Sequence, residues 1–191
     1  MGLFRFFENR LEVYPEDNYN LPTDNFLKFL WACTKGLRGW IFAFMFLTGL
    51  IGVYESLLYK WIGDIVNWLG AYTPANLWAE KGDSLLMMAA VLVVSPILVG
   101  LSSLIHFQTL QGVFPMQMRW RFHRQMLGQS MQFYQDEFSG RVSAKVMQTA
   151  LAVRDTIMTI ADMLVYVLVY FVSSGIILFN LDSWLLIPFL L

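Results

Sequence analysis

Few residues of this chain combine a type and a spacing that would serve catalysis. His106 and His123 lie far apart, and neither has a partner three or four positions away that would complete a metal site on a helix. Cys33 is the single cysteine, which excludes an internal disulfide or a cysteine metal cluster. The sequence contains no nucleophile motif and no G-x-x-x-x-G-K-[S/T] phosphate loop. It therefore predicts no catalytic residue, metal site or cofactor site in this chain.

Two acidic residues stand out because they fall within long apolar stretches. Glu55 interrupts residues 40–58, and Asp162 lies near the beginning of residues 157–179. A charge in hydrocarbon is costly unless it is paired or faces water, so both are candidates for lining a polar pathway across a membrane. Two alternatives stay open: Glu55 pairs with Lys60 or reaches the outer interface, and Asp162 extends to the inner surface.

The segments that carry these acids are apolar enough to be membrane helices. Apolar residues make up 57% of the chain and charged residues 14%, against roughly 25% charged in ordinary soluble domains. Residues 40–58 and 157–179 are each long enough to cross a hydrocarbon core about 30 Å thick. A third run, residues 84–104, contains Pro96 and Gly100, which membrane helices tolerate. The composition predicts an all-α, polytopic helical membrane protein.

The predicted spans have defined bounds. Span one covers residues 40–66, span two with an extension covers 84–132, and an extension with span three covers 142–179. Residues 184–191 are apolar but would form only about 12 Å of helix, so we expect a truncated fourth span. The chain is accordingly expected to be a fragment of a longer protein. No cleavable signal peptide is recognised at the N-terminus.

The basic residues indicate the orientation. Most Lys and Arg residues precede span one or lie between spans two and three, so the positive-inside rule places both regions in the cytoplasm. The loop after span one holds Glu80, Lys81 and Asp83 and is predicted to face outward. We therefore expect a cytoplasmic N-terminus and a cytoplasmic hairpin at residues 111–156.

The segment before span one is predicted to be a short amphipathic helix, residues 24–36. Pro22, Thr23 and Asp24 form a helix-start signal, and apolar residues then recur at helical spacing as far as Gly36. The helix is too short to span a membrane but suited to the inner interface, with its aromatic residues toward lipid. A soluble amphipathic helix packed on a partner is the alternative. Residues 1–23 are expected to be a poorly ordered cytoplasmic tail.

The middle of the chain predicts a helical hairpin that extends well beyond the membrane. A helix from residue 84 to about 131 would be on the order of 70 Å long, more than twice the hydrocarbon thickness. Gly112 and Pro115 are expected to kink it near the membrane exit. Basic residues such as Arg121 suit the inner surface or a polar helix face. The returning helix offers an apolar stripe of Val142, Val146, Thr149, Val153 and Ile157.

This hairpin resembles the transmembrane domain of ATP-binding cassette (ABC) exporters. That family has an elbow helix before span one, long cytoplasmic extensions of spans two and three, and a coupling helix at their tip. The chain departs from the family pattern at Gln135, where an acid is common, and at Thr149, where Asp is frequent. The likeness covers residues 24–191, although only the hairpin is motif-specific. The matching positions are Phe133 and Tyr134 (aromatic pair), Ser139 and Gly140 (Thr-Gly), Lys145 (Arg), and Val153, Arg154 and Asp155 (Val-Arg-acid).

The resemblance implies a partial ABC-exporter transmembrane domain in the bacterial inner (plasma) membrane. In that family, the tip helix docks on a nucleotide-binding domain, and ATP-driven closure of two such domains moves the long helices. The full-length parent would then hydrolyse ATP with magnesium, although this chain holds no cofactor. The expected partners are the bilayer, the nucleotide-binding domain, the rest of the transmembrane domain and a second half-transporter, identical or related. No nucleic acid is expected.

The resemblance also implies roles for individual residues. Tyr134 and Phe138 are expected to be apolar anchors on the nucleotide-binding domain, and Gly140 to allow a turn through positive φ. Alternatively, the two aromatic residues pack within their own hairpin, and the acids of the tip are a solvated helix start. Glu55 and Asp162 become candidate translocation-pathway residues. The complete coupling set is Phe133, Tyr134, Gln135, Asp136, Glu137, Phe138, Ser139 and Gly140.

Two other functions stay open. A stand-alone membrane scaffold or regulatory subunit would bind a partner through the same hairpin. A membrane-embedded enzyme acting on lipid would need converging His or acidic residues, which the sequence does not offer. The coding sequence downstream distinguishes an exporter, with further spans and a nucleotide-binding domain, from a scaffold.

Overall fold

The structure is a computed structural model that describes residues 7, 10–16, 21–22, 25–136, 139–181, 184, 187 and 189. These residues are helical almost throughout and include no strand. Within them, three helical runs are long and apolar enough to cross a membrane: Arg38–Ala71, Asn76–Leu127 and Gly140–Leu181. The chain is an all-α helical membrane protein, as its composition predicts.

The described part of the chain contains α-helices linked in two places by π-helical segments. The π-helical segments are Leu104–Gln111 and Ile160–Leu164. Neither segment interrupts its helical run. The α-helices are α1 (Phe26–Cys33), α2 (Arg38–Ala71), α3 (Pro74–Ser103), α4 (Gly112–Leu127), α5 (Met131–Asp136), α6 (Ser139–Thr159) and α7 (Val165–Leu181).

The connection between α2 and α3 is shorter than predicted. Only Tyr72 and Thr73 separate the two helices, and the charged residues 80, 81 and 83 lie within α3 instead of a loop. Proline favours the first turn of a helix because its missing N–H would have no partner there. Pro74 occupies that position, and the Leu77 N–H bonds to the Thr73 carbonyl at 2.8 Å. The expectation that span two begins at residue 84 is therefore wrong for the helix, which begins at Pro74.

The helix α1 begins at Phe26, two residues after the predicted start at residue 24, and ends at Cys33, three residues before the predicted end. The side chain of Asn25 accepts a hydrogen bond of 2.9 Å from the Leu27 N–H and caps the helix. Asp24, which the start signal included, lies outside the described residues. The Leu30 and Cys33 side chains are buried, whereas Phe26, Leu27 and Trp31 are exposed. The helix therefore has one side that is packed and one side that exposes large apolar residues.

Gly112 and Pro115, where the sequence predicts a kink, lie directly after the first π-helical segment. Pro115 has no N–H to offer the carbonyl of Gln111, four residues earlier, and the π-helical segment ends at Gln111. Both proline and π-helical turns are recognised causes of helix bending. The second π-helical segment contains no proline, and no pattern in the sequence indicates it.

The chain divides into two compact units. The first unit contains Met1–Phe44 and Ser103–Asp162, and the second contains Met45–Ser102 and Met163–Leu191. In the first unit, α4 packs along α6, and α1 also contacts α6. The buried residues of α4 and α6 recur at helical spacing: Phe114, Met118 and Phe122 on one helix, and Ala150, Val153 and Ile157 on the other. Of the stripe predicted on α6, Val153 and Ile157 are buried, while Thr149 is exposed.

Residues 10–16 lie against α4 instead of forming the poorly ordered tail expected from the sequence. The Trp120 indole N–H donates a hydrogen bond of 3.1 Å to the Pro15 carbonyl. The Gln117 amide donates one to the Glu12 carbonyl. The Tyr14 ring meets the edge of the Trp120 ring at a centroid distance of 5.4 Å. The expectation is wrong for these residues because their contacts link positions 105 residues apart, which no local pattern reveals.

Candidate functional sites

The predicted coupling tip, residues 133–140, follows the end of α4 and includes parts of the short helix α5 and the start of α6. At the end of α4, the Gly128 N–H bonds to the Gln125 carbonyl at 3.3 Å, and the Gln129 N–H bonds to the Met126 carbonyl at 2.9 Å. The Ser130 hydroxyl then accepts a hydrogen bond of 3.3 Å from the Phe133 N–H at the start of α5. Residues 133–136 of the predicted coupling helix lie in α5, and Ser139 and Gly140 begin α6. Glu137 and Phe138 lie outside the described residues.

The positive φ expected at Gly140 is wrong. Gly140 is helical, and among the described residues Gly36 is the glycine with positive φ, at 87°. Gly36 lies in the turn at residues 34–37 that joins α1 to α2, where a left-handed residue ends one helix before the next begins. The helical pattern of α6 simply starts earlier than the motif suggested, so the backbone at Gly140 has no need of a left-handed conformation.

Tyr134 is tied to its own hairpin by its hydroxyl group. Its hydroxyl donates a hydrogen bond to the Met126 carbonyl at the end of α4, which also accepts one from the Gln129 N–H. Its ring meets the Phe133 ring edge-on, with centroids 5.4 Å apart. The side chain is still 38% exposed, and its neighbour Gln135 is exposed too. The contacts agree with the alternative of packing within the hairpin and leave part of the ring at the surface.

A cleft of about 270 Å³ lies beside the tip, between α4, α5 and α6. Val142 and Val146, from the predicted stripe, are half-buried on one wall. Lys145, which matches the family's Arg, also lines the cleft and brings a positive charge next to α5. The complete lining is Phe122, Gln125, Met126, Phe133, Val142, Lys145, Val146 and Thr149.

Arg121 joins α4 to the end of α1. Its side chain is only 6% exposed and donates hydrogen bonds to the carbonyls of Cys33, at 3.4 Å, and Lys35, at 2.9 Å. Carbonyls at a helix C-terminus lack helical partners, and the helix dipole favours a cation there. Sequence reasoning missed this role, since the basic pattern suggested only the inner surface or a polar helix face.

The junction of α1 and α2 is held by Arg38. Its guanidinium donates hydrogen bonds to the Thr34 hydroxyl, at 3.3 Å, and the Trp31 carbonyl, at 2.9 Å. The same group lies 4.0 Å from the centroid of the Trp31 ring, a cation–π contact. With its aromatic residues outward and basic residues alongside, α1 has the pattern of a helix at a membrane interface.

Glu55, the first candidate acid, lies in the second unit. It lies near the middle of the 34-residue helix α2, and the Tyr166 hydroxyl donates a hydrogen bond to its Oε2 atom. The Tyr170 ring stacks on the Tyr166 ring, with centroids 5.9 Å apart and planes 16° apart. The ion pair with Lys60 that the sequence left open is absent: in the described part of the chain, no basic side chain pairs with Glu55.

This carboxylate lies beside a close approach of α2 and α7. A Cβ atom at Gly52 would lie 3.4 Å from the Tyr166 carbonyl oxygen and 3.5 Å from the Tyr170 nitrogen. One turn further along, Ser56 is 2% exposed, and its hydroxyl oxygen lies 3.4 Å from that of Ser174. Small residues commonly allow such approaches between membrane helices. Glu55 itself is half-exposed and therefore lies at the edge of this seam.

The hydrogen bond brings a neutral donor to Glu55, not a cation. A carboxylate near the bilayer centre costs about 3 kcal/mol on insertion scales. A hydrogen bond to a charged group offsets about 1.5–3 kcal/mol but leaves the charge in place. Intramembrane acids whose charge is not neutralised by the fold typically mark a pathway or binding site. The sequence could suggest Glu55 as a candidate but could not identify Tyr166, 111 positions away, as its partner.

Asp162, the second candidate acid, is exposed in the π-helical segment Ile160–Leu164. Such turns inside longer helices are frequent at functional sites. Asp162 belongs to the first compact unit and Glu55 to the second. Glu55 and Asp162 are therefore two separate candidates for residues that line a polar pathway.

These features define an all-α helical membrane protein with a helical hairpin and an acidic residue within a long apolar helix. The chain is similar to a protein of Haemophilus influenzae named "Uncharacterized ABC transporter ATP-binding protein". The two are 56% identical over 188 residues, which is 98% of this chain and 31% of that protein. The chain thus spans about a third of the length of the curated relative it matches. No protein-family model and no solved structure match the chain.

Proposed function

We propose that this chain is the first part of the transmembrane domain of an ABC exporter. In this proposal it forms part of the translocation pathway and couples that pathway to a nucleotide-binding domain through residues 133–140. The observation that carries the proposal is the 56% identity, over nearly the whole chain, to a protein named as an ABC transporter ATP-binding protein. Since this chain has no phosphate loop, ATP and magnesium would bind to a part of the full-length protein outside it.

The lengths of two helical runs support a role of the hairpin in transmitting movement from a nucleotide-binding domain to the membrane helices. Asn76–Leu127 has 52 residues and Gly140–Leu181 has 42, which correspond to about 78 Å and 63 Å of helix. Each is about twice the hydrocarbon thickness or more, so a large part of each would stand outside the bilayer. The Arg and Lys residues of α4 and α6 favour the cytoplasm for that part. The tip, α5, would then face a soluble partner there.

The packing of the first unit supports the transmission of force. Large buried side chains on α4 and α6 make the hairpin stiff, because packed helices move together. The nucleotide-binding domain would push on the tip from Phe133 to Gly140, and closure of two such domains would swing the hairpin. A second half-transporter, identical or related, would complete the assembly in the bacterial inner membrane. Glu55 and Asp162 would line the pathway, with the N-terminus in the cytoplasm.

The test of this proposal uses the full-length protein, reconstituted in lipid nanodiscs. A photo-crosslinking amino acid at the exposed Gln135 should capture the nucleotide-binding domain, and mass spectrometry identifies the captured peptide. The double variant Asp136→Lys and Glu137→Lys should lower ATP hydrolysis at least about threefold, because reversed charges weaken an interface contact. The matched control Glu80→Lys, an acid on α3 outside the hairpin, should leave it unchanged.

Three results would contradict the proposal. Full-length protein without ATP hydrolysis would favour the scaffold instead. Capture of no nucleotide-binding peptide from position 135 would exclude docking at the tip. Equal ATP hydrolysis in the double variant and the Glu80→Lys control would exclude a coupling role for the tip charges.

A further inference from the structure

We infer that Glu55, Tyr166 and Tyr170 form an intramembrane binding site for an organic cation, such as a hydrophobic amine or phosphonium. This rests on the proposed function only in taking the ligand to be a substance that the protein moves. The site itself is argued from the second compact unit alone.

The carboxylate of Glu55 has capacity for a further partner. An ionised carboxylate offers two oxygens and about four acceptor positions. Tyr166 uses Oε2, and Oε1 accepts no hydrogen bond from any residue that the structure describes. No described basic side chain neutralises the charge, and Lys60 lies about 7.5 Å further along the helix axis. A bound cation would supply the positive charge that no described residue brings to Glu55.

The aromatic residues around the carboxylate suit the same ligand. The faces of aromatic rings carry negative potential and attract cations. The rings of Tyr166 and Tyr170 are nearly parallel and half-exposed, and Tyr59, one turn after Glu55, is 66% exposed. An acid beside three tyrosines therefore favours a cation with an apolar body over a neutral or anionic molecule.

A purely structural role accounts less well for these residues. The seam between α2 and α7 is already formed by Gly49, Gly52 and Ser56, which contact the opposite helix closely. A neutral amide or hydroxyl would accept the Tyr166 hydrogen bond without placing a charge at membrane depth. Glu55 also lies at the rim of the seam, where a ligand can reach it, and not in its sealed interior.

Binding can be measured on this chain in nanodiscs of neutral lipid, by equilibrium dialysis with empty nanodiscs as background. The probe is radiolabelled tetraphenylphosphonium, and the comparison ligand is tetraphenylborate, which has the same shape and the opposite charge. Wild type should bind only the cation saturably. Glu55→Gln, which keeps an acceptor for Tyr166, should weaken cation binding at least about tenfold. Asp64→Asn removes the same charge elsewhere on α2 and should leave the affinity within about twofold.

Several results would overturn the inference. They are equal cation binding by Glu55→Gln and wild type, equal saturable binding of the two ions, or an equal loss in Asp64→Asn. If Glu55→Gln does not fold, as judged by circular dichroism, the comparison of the two ions on wild type decides alone. The assay contains no ATP, so its outcome is independent of the proposed function. A full-length protein that binds the cation but hydrolyses no ATP would contradict the exporter and leave the site intact.

Discussion

Arg121 donates a hydrogen bond of 2.9 Å to the main-chain oxygen of Lys35, although 86 positions separate the two residues. This bond fixes the end of α1 to α4, within the first compact unit. The short amphipathic helix and the hairpin are therefore parts of one packed body. In the proposed exporter, a movement of the hairpin would carry α1 with it along the membrane surface.

Replacement of Arg121 tests this connection. Arg121→Ala should lower the free energy of unfolding of the chain in detergent micelles by about 1.5–3 kcal/mol, because two carbonyls lose a charged donor. Arg119→Ala is the control, since the Arg119 side chain bonds only to the weak acceptor Met116 Sδ at 3.5 Å. Its effect should stay below about 1 kcal/mol. Equal losses in the two variants would show that the Arg121 contacts contribute nothing specific.

A second prediction concerns the close approach of α2 and α7. Gly52→Leu should destabilise the second unit by about 1–3 kcal/mol, because its Cβ would already be in contact with the Tyr166 carbonyl oxygen at 3.4 Å, which leaves no space for the rest of the side chain. Gly63→Leu is the matched control on the same helix, where a Cβ would meet nothing within 4 Å. Thermal unfolding followed by circular dichroism measures both. A Gly52 variant as stable as the Gly63 variant would argue against the seam.

The orientation can be tested by cysteine labelling in membrane vesicles of known sidedness. Cys33 is the single cysteine of the chain, so Cys33→Ala provides a background without a reactive thiol. In that background, Ser139→Cys should react with an impermeant maleimide only from the cytoplasmic side, because the basic residues favour that side. Thr73→Cys, in the turn between α2 and α3, should react only from outside. The opposite pattern would reverse the topology.

Nucleotide binding gives a fourth prediction. The isolated chain should show no saturable ATP binding in equilibrium dialysis, because its sequence contains no G-x-x-x-x-G-K-[S/T] phosphate loop. The full-length protein, under the same conditions, should bind ATP. Micromolar affinity of the isolated chain for ATP would contradict this prediction and would show that the chain itself contains a nucleotide site.

The sequence by itself determined the all-α fold, the three long apolar helical runs and the short helix that precedes them. These features depend on apolar runs and on helical periodicity, which are properties of neighbouring residues. Local pattern was less reliable at boundaries. The start of α3 at Pro74 and the helical Gly140 depend on where a helix ends, and a helix end is set by capping contacts as well as by hydropathy.

Only the tertiary structure decided which distant residues meet. The contacts of Arg121 with Lys35, Trp120 with Pro15, and Tyr166 with Glu55 join positions 86, 105 and 111 residues apart. Each depends on the rotation and the register with which one helix packs on another element. Side chains that repeat every 3.6 residues reveal which face is apolar but not which partner covers it. The charge of Glu55 was visible in the sequence, whereas its tyrosine surroundings were not.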